Sequence, residues 1–319
     1  MNQSFASASD LAEQIPTVQE LAPGCYGYVS QHDPNCGFVV GEKAVLVVDT
    51  RATPKLARDF EAAIRSVTDL PIRWVFLTHY HAVRALGASV FKDATVIASA
   101  GTTQWIRERG EPDFQSELHR FPRLFRGVEE IPGLTYPNVW FDDRLVIDLG
   151  DIEVELVQFG RAHTQGDAAC WVPSRKVLFA GDLVENRCGV YAGDAYIRNW
   201  ITTLTLVGGL PAEALVPGRG PAVTGREAVR EAVAGTAAFL QTLHDAVAGA
   251  LQSRADADVA ACYHAADAAM RPTFGHWPIF NHVLPFDTAR MFEELSGSEH
   301  PTIWTAERDT ELWAALRGT

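Results

Sequence analysis

The chain has no CxxC pair, no apolar run of membrane-spanning length, no internal repeat, no low-complexity linker and too little base to balance its acid. Its five cysteines, Cys25, Cys36, Cys170, Cys188 and Cys262, are scattered and odd in number. That spacing supports neither a disulfide framework nor a cysteine zinc knuckle, so reduced and mostly buried thiols are expected. The opening stretch MNQSFASASDLAEQIPTVQE lacks the cationic start and apolar centre of a secretory leader, and a cytoplasmic location is expected. With 27 Lys and Arg against 40 Asp and Glu, the net charge of -13 repels polyanions. Nucleic acid and anionic membranes are thereby excluded as partners, and an anionic ligand would need a local cluster of arginines.

What is present is an ordinary globular balance: 319 residues, 47% hydrophobic and 21% charged, enough to bury a sizeable core. Without a linker, the chain reads as one domain over 1–225 with a helical C-terminal extension, 226–319, packed on it. In the first half, strand patterns lie at 25–31, 37–41, 44–50, 72–79 and 95–99, with a helix at 54–67 that has proline in its first turn. The mixed stretch 101–140 reads as helical on both sides of Pro112 and as an insertion over one face of the core. The second half repeats the alternation: strands at 144–149, 152–160, 168–173 and 176–182, a helix near 195–208 and a strand at 214–217. Helical pattern then runs from 225 to about 270. Strands followed by helices, twice over, predict two β-sheets packed face to face with helices outside.

Four separated stretches end strands at loops rich in metal-binding side chains: THYH (78–81), GRAHTQGD (160–167), FAGDLVEN (179–186) and VPGRGP (216–221). The one-residue spacing of His79 and His81 after an apolar strand suits a metal. Strand ends on a rigid scaffold can aim such groups into a common cleft.

In this order, Asp49 of VVDT, the HxH of His79 and His81, His163 of HTQGD, Asp182 of FAGD and the PGRGP loop resemble the metallo-β-lactamase superfamily over about residues 20 to 225. The resemblance implies a four-layer αβ/βα sandwich with metal ligands His79, His81, His163 and Asp182. Asp49 and Asp167 would orient ligands or loops. The family's second metal takes an aspartate and a histidine just after HxH and a histidine in the late loop. Here those places hold Val83, Arg84 and Arg219. A guanidinium stays protonated and has no lone pair to donate. The resemblance therefore implies a mononuclear site for one divalent metal, zinc first, with iron or manganese also suited to three imidazoles and a carboxylate.

Two roles fit the arginines. They clamp a small anionic substrate, with Asp182 as ligand or proton acceptor, or they fill the vacated space and neutralise Asp182, Glu185 or Asp194. The aromatic segment 274–295 is expected to clasp the extension onto the core, or to wall the pocket with His276 or His282 touching substrate; Arg161 and Tyr80 are further candidates for the cleft.

The function expected is a metallo-hydrolase in which a metal-bound hydroxide attacks an ester, lactone, amide or thioester. The rivals are a mononuclear iron oxygenase resembling persulfide dioxygenases and a non-catalytic anion-binding protein. Whether the chain forms a homo-oligomer is left open.

Overall fold

The computed structural model describes residues 6–254 and 256–317. Strands β1 (Thr17–Ala22), β2 (Cys25–Val29), β3 (Cys36–Val40), β4 (Val45–Val48), β5 (Ile72–Phe76), β6 (Thr95–Ser99) and β7 (Val139–Phe141) form a seven-stranded sheet in that spatial order. Its first four strands pair antiparallel and the rest parallel. A six-stranded sheet runs β13 (Val223–Thr224), β12 (Ala214–Pro217), β11 (Val177–Gly181), β10 (Asp167–Val172), β9 (Glu153–Gly160) and β8 (Arg144–Asp148). Strands β1, β7 and β13 are additions to the strands legible in the sequence.

The two sheets face one another across a core that includes Val39, Leu46, Phe76, Leu156, Cys170 and Phe179. Every residue of β4, β10 and β11 is buried, because these strands are covered on both faces and so need apolar side chains in unbroken runs. Outside the first sheet, helix α1 (Pro54–Arg65) lays Phe60 and Ile64 against Phe38 and Val47. Its start is fixed by Thr53, whose hydroxyl accepts from the Leu56 N–H at 3.2 Å, and by Pro54 in the first turn. A single turn, α2 (Ala82–Ala85), follows the paired histidines.

The stretch expected as an insertion over the core is dominated by helix α3 (Ala100–Arg120), which runs through Pro112 without ending. Trp105 and Ile106 join the core outside the first sheet, while the C-terminal half of the helix approaches the histidines. Outside the second sheet lie α4 (Ile197–Gly209) and four helices of the extension, α5 (Arg226–Ser253), α6 (Val259–Phe274), α7 (Phe280–Leu295) and α8 (Ala306–Arg317). Trp171 and Leu178 of the sheet share one apolar cluster with Trp200, Phe239, Phe274 and Phe280. The result is the four-layer αβ/βα sandwich with a helical C-terminal extension. All five cysteines are free and buried. Among the described residues, no helix is long and apolar enough to cross a membrane.

Phe179 fixes the spacing of the sheets: a Cβ added at Gly37 of the opposite sheet would lie 2.4 Å from its ring. Replacing Phe179 by Ala should cost about 3–5 kcal/mol through lost burial and the cavity left behind. Urea denaturation should show this as a lower midpoint with an unchanged slope.

Candidate metal centre

Strands β4, β5, β9, β11 and β12 deliver Asp49, His79, His163, Asp182 and Arg219 respectively in the loops just after them. His81 follows two residues after His79. His79, His81, His163 and Asp182 are all buried, and one donor atom from each lies within 4.8 Å of the others. Asp182 Oδ2 is 3.6 Å from His79 Nε2 and 3.6 Å from His163 Nε2, and His163 Nε2 is 3.1 Å from His81 Nδ1. Tetrahedral donors at zinc bond lengths sit about 3.3 Å apart. The spacing therefore fits one cation at the centre.

Hydrogen bonds on the far side of each ring decide where its lone pair points. His163 Nδ1–H donates to the Tyr191 carbonyl at 2.9 Å, which leaves Nε2 bare. His79 Nδ1–H donates to Thr78 Oγ1 at 3.0 Å, and that hydroxyl donates in turn to Asp49 Oδ2 at 2.8 Å. His79 Nε2 is then a buried acceptor without a protein partner, an arrangement that is costly unless something occupies the centre. His81 Nε2–H donates to Asp194 Oδ2 at 3.2 Å, leaving Nδ1 toward the centre.

Electrostatics agree with this division. Burial holds His79 well below its ordinary range, against the pull of Asp182. Burial and the neighbouring His81 bring His163 down to about 3. Burial also opposes charge on His81, but Asp113, Asp194 and Glu117 outweigh it and lift the imidazole to about 9. Two bare imidazoles and one that must release a proton to bind are suitable ligands for a cation.

Asp182 has a second set of neighbours. Its Oδ1 accepts from Arg84 Nη2, and Oδ2 accepts from Arg219 Nη1 at 3.1 Å. Although burial opposes its charge, Arg84, His79 and Arg219 hold its carboxyl far below the usual range. Arg84 is fully enclosed, and its end nitrogens also donate to the carbonyls of Asn35 and, at 2.8 Å, Gly218. Of the two roles expected for the arginines, Arg84 fills the one of holding Asp182 and backbone with its end nitrogens, and it is fully enclosed with only Nε unpartnered. Arg219 reaches Glu185 at 3.3 Å as well as Asp182, and it lines the cavity beside the centre. Val83 packs in an apolar cluster with Ala52, Leu86, Phe121 and Leu124. Gly218 permits this crowding, since a Cβ there would lie 2.1 Å from Asp182 Oδ1.

Asp167 turns its carboxylate onto the Thr164 N–H and hydroxyl at 2.7 and 2.6 Å, which shapes the loop of His163. Asp194, named in the sequence only as a partner for the arginines, instead orients His81. Sequence reasoning missed Asp113 and Glu117, which accept from the N–H groups of Ala82 and Val83 at 2.8 and 3.1 Å. Their trace was an acidic i, i+4 pair on α3. They cap the turn that carries Arg84.

The cavity encloses about 20 Å³, room for a water or a very small group. Its wall includes Arg120, Phe121 and Leu124 from the end of α3, and Ile279, His282 and Val283 at the start of α7. Ile279 is left-handed, with φ 57°, a conformation that a β-branched residue adopts only under constraint. The C-terminal aromatic segment thus both clasps the core and walls the cavity, through His282 and not the exposed His276. Tyr80 packs edge-on to Trp105, and Arg161 is exposed over Tyr196; neither lines this cavity.

The sequence profile of the Metallo-beta-lactamase superfamily matches residues 30–219. A metallo-beta-lactamase type 2 of Bacillus cereus is 24% identical over 185 residues, covering 56% of this chain and 63% of its own. The 2,4-dinitroanisole O-demethylase subunit alpha of Nocardioides sp. (strain JS1661) is 25% identical over 189 residues, 56% of this chain and 50% of its own. The chain thus spans between half and two thirds of these relatives' lengths. Among solved structures, the stereoselective inverting sec-alkylsulfatase Pisa1 from Pseudomonas sp. superposes with a TM-score of 0.68 at 15% identity, over 88% of this chain and 50% of that one. A metallo-beta-lactamase from Pontibacter korlensis gives 0.57 at 18% identity, over 71% of this chain and 99% of that one. These two likenesses speak for the fold.

Two predictions follow from the charges. Replacing Asp182 by Asn leaves Arg84 and Arg219 buried with their main counter-charge removed, and should cost about 3–5 kcal/mol in chemical denaturation. Glu185 is raised to about 8, first by burial and then by Asp182. A carboxyl whose folded pKa lies above its unfolded one stabilises fully below the unfolded value and loses that contribution as pH rises through the folded one. Glu185→Gln should therefore lose less Tm than the parent between pH 6 and pH 9.

Proposed function

Because the chain belongs to the metallo-β-lactamase superfamily, whose members are mostly metallo-hydrolases, we propose that it is a hydrolase using a single divalent cation, zinc in the first instance. His79, His81, His163 and Asp182 would hold it. The observation that carries the reading is the orphaned Nε2 of buried His79, facing the same point as His163 Nε2, His81 Nδ1 and Asp182 Oδ2. When bound, such a cation supplies Lewis acidity and brings the pKa of a coordinated water toward 7.

The chain's own residues supply orientation and charge. Tyr191, Thr78 and Asp194 hold the three imidazoles from behind, so that little rearrangement is needed on binding. Arg84 anchors Asp182 from the side away from the imidazoles. The positions that serve a second cation in dinuclear relatives are filled by Val83, Arg84 and Arg219, none of which offers a lone pair. Arg219 keeps a positive group there, and its N–H bonds can stabilise an oxygen that gains charge when water adds to a carbonyl carbon. The relatives' names span a lactamase, an O-demethylase and an alkylsulfatase and do not fix the bond cleaved. An ester, lactone, amide or thioester carbonyl is the centre best suited to this arrangement.

Elemental analysis of protein purified without a histidine tag tests the reading. About one equivalent of zinc per chain is expected, lost in His79→Ala together with hydrolysis across a panel of small esters and lactones. Two equivalents in the centre would overturn the single-cation assignment. Iron with oxygen uptake would replace hydrolysis by dioxygenase chemistry, and no metal after incubation with zinc would leave an anion-binding pocket.

A further inference from the structure

Among the described residues seven arginines are buried: Arg51, Arg84, Arg109, Arg120, Arg123, Arg219 and Arg290. Six have a carboxylate oxygen within 4.0 Å. Among the described residues, Arg120 has none. It closes the last turn of α3, is 2% exposed and lines the cavity beside His81, Asp182 and Arg219. Its guanidinium lies 4.8 Å from the ring of Tyr191 and 4.5 Å from that of Phe286, and it hydrogen-bonds the Tyr191 hydroxyl. Its Nε has no partner.

Five acids bear on Arg120 from further off, among them Asp194, which accepts from His81 and Tyr191, and Asp287, which accepts from the Ala192 N–H. Glu117 and Asp113 accept from backbone N–H groups of α2, and both oxygens of Asp309 accept from Ser116. Aromatic faces stabilise a cation without neutralising it. Asp309, Glu117 and Asp113 favour its charge against burial without touching it, and a bound anion would supply the direct pairing they do not. Arg219, by contrast, is already shared between Asp182 and Glu185.

We infer that Arg120 is the anion receptor of the cavity, and that the substrate is a small ester, lactone or amide carrying one singly charged oxyanion group, a carboxylate or a sulfate monoester. Its charged end pairs with the Arg120 fork, and the roughly 20 Å³ of the cavity admit little more than that end. One negative charge suits the site better than two, because Glu117 and Asp182 also line it. The inference deepens the hydrolase reading by naming the substrate class, and rests on that reading's placement of substrate in this cavity.

The test is calorimetric titration of the full chain with propanoate, methyl sulfate and uncharged propanamide, with metal content measured for each sample. Wild type, Arg120→Gln and Arg120→Lys are compared, each also in the His79→Ala background, where no cation can hold the anion. Expected is at least tenfold tighter binding of one or both anions than of propanamide by wild type, and by His79→Ala. That preference should disappear in Arg120→Gln and be reduced in Arg120→Lys, at unchanged metal content. Which anion binds more tightly assigns the head group. An equal preference in Arg120→Gln overturns the inference. So does a His79→Ala protein that binds propanoate and methyl sulfate no better than propanamide, a comparison that stands even if Arg120→Gln does not fold. A metal-free chain that keeps an Arg120-dependent anion preference would uphold the receptor and sink the hydrolase.

Discussion

The Asp182 carboxylate, held between two guanidiniums on one side and two imidazoles on the other, is the interaction on which the rest of the site depends. Buried alone, it would take up a proton; with Arg84 and Arg219 against it, it stays charged. Arg84 in turn binds the carbonyls of Asn35, after β2, and Gly218, after β12, so one enclosed side chain ties the open ends of the two sheets together. The positive charge beside Asp182 is part of the covalent chain. The gain is a permanent counter-charge, and the cost is that Arg219 and the centre share one oxygen of Asp182.

The sandwich explains why residues more than a hundred positions apart converge. Strands buried on both faces are rigid, and their loops emerge at one edge, where a small shift of any strand would displace a donor atom. Helix α3 contributes from outside that edge. Its carboxylates cap the turn bearing Arg84, its Trp105 packs on the sheet, and its last residues wall the cavity. The extension completes the enclosure through Ile279, His282 and Val283, so the centre belongs to core and extension jointly.

Much of this was legible in the sequence. Unbroken apolar runs marked the central strands, Thr53 and Pro54 marked the start of α1, and the ordered motifs carried His79, His81, His163 and Asp182 to one place. Other parts were not legible, for physical reasons. Strands β1 and β7 lie at the sheet edge, where partial exposure weakens the apolar pattern. The path of α3 through Pro112 depends on packing that overrides a local breaker. The role of Asp194 could not be read because its partner, His81, is 113 residues away.

The sequence by itself determined the layered architecture and placed arginines, which cannot coordinate wherever they point, at positions 84 and 219, because both depend on residue type and local pattern. Only the tertiary structure decided which arginine is spent on backbone, which shares Asp182, and which stays buried with no carboxylate in contact. Those distinctions are made by distances of a few ångströms between distant segments, and charge pairing in a buried site is set by such distances.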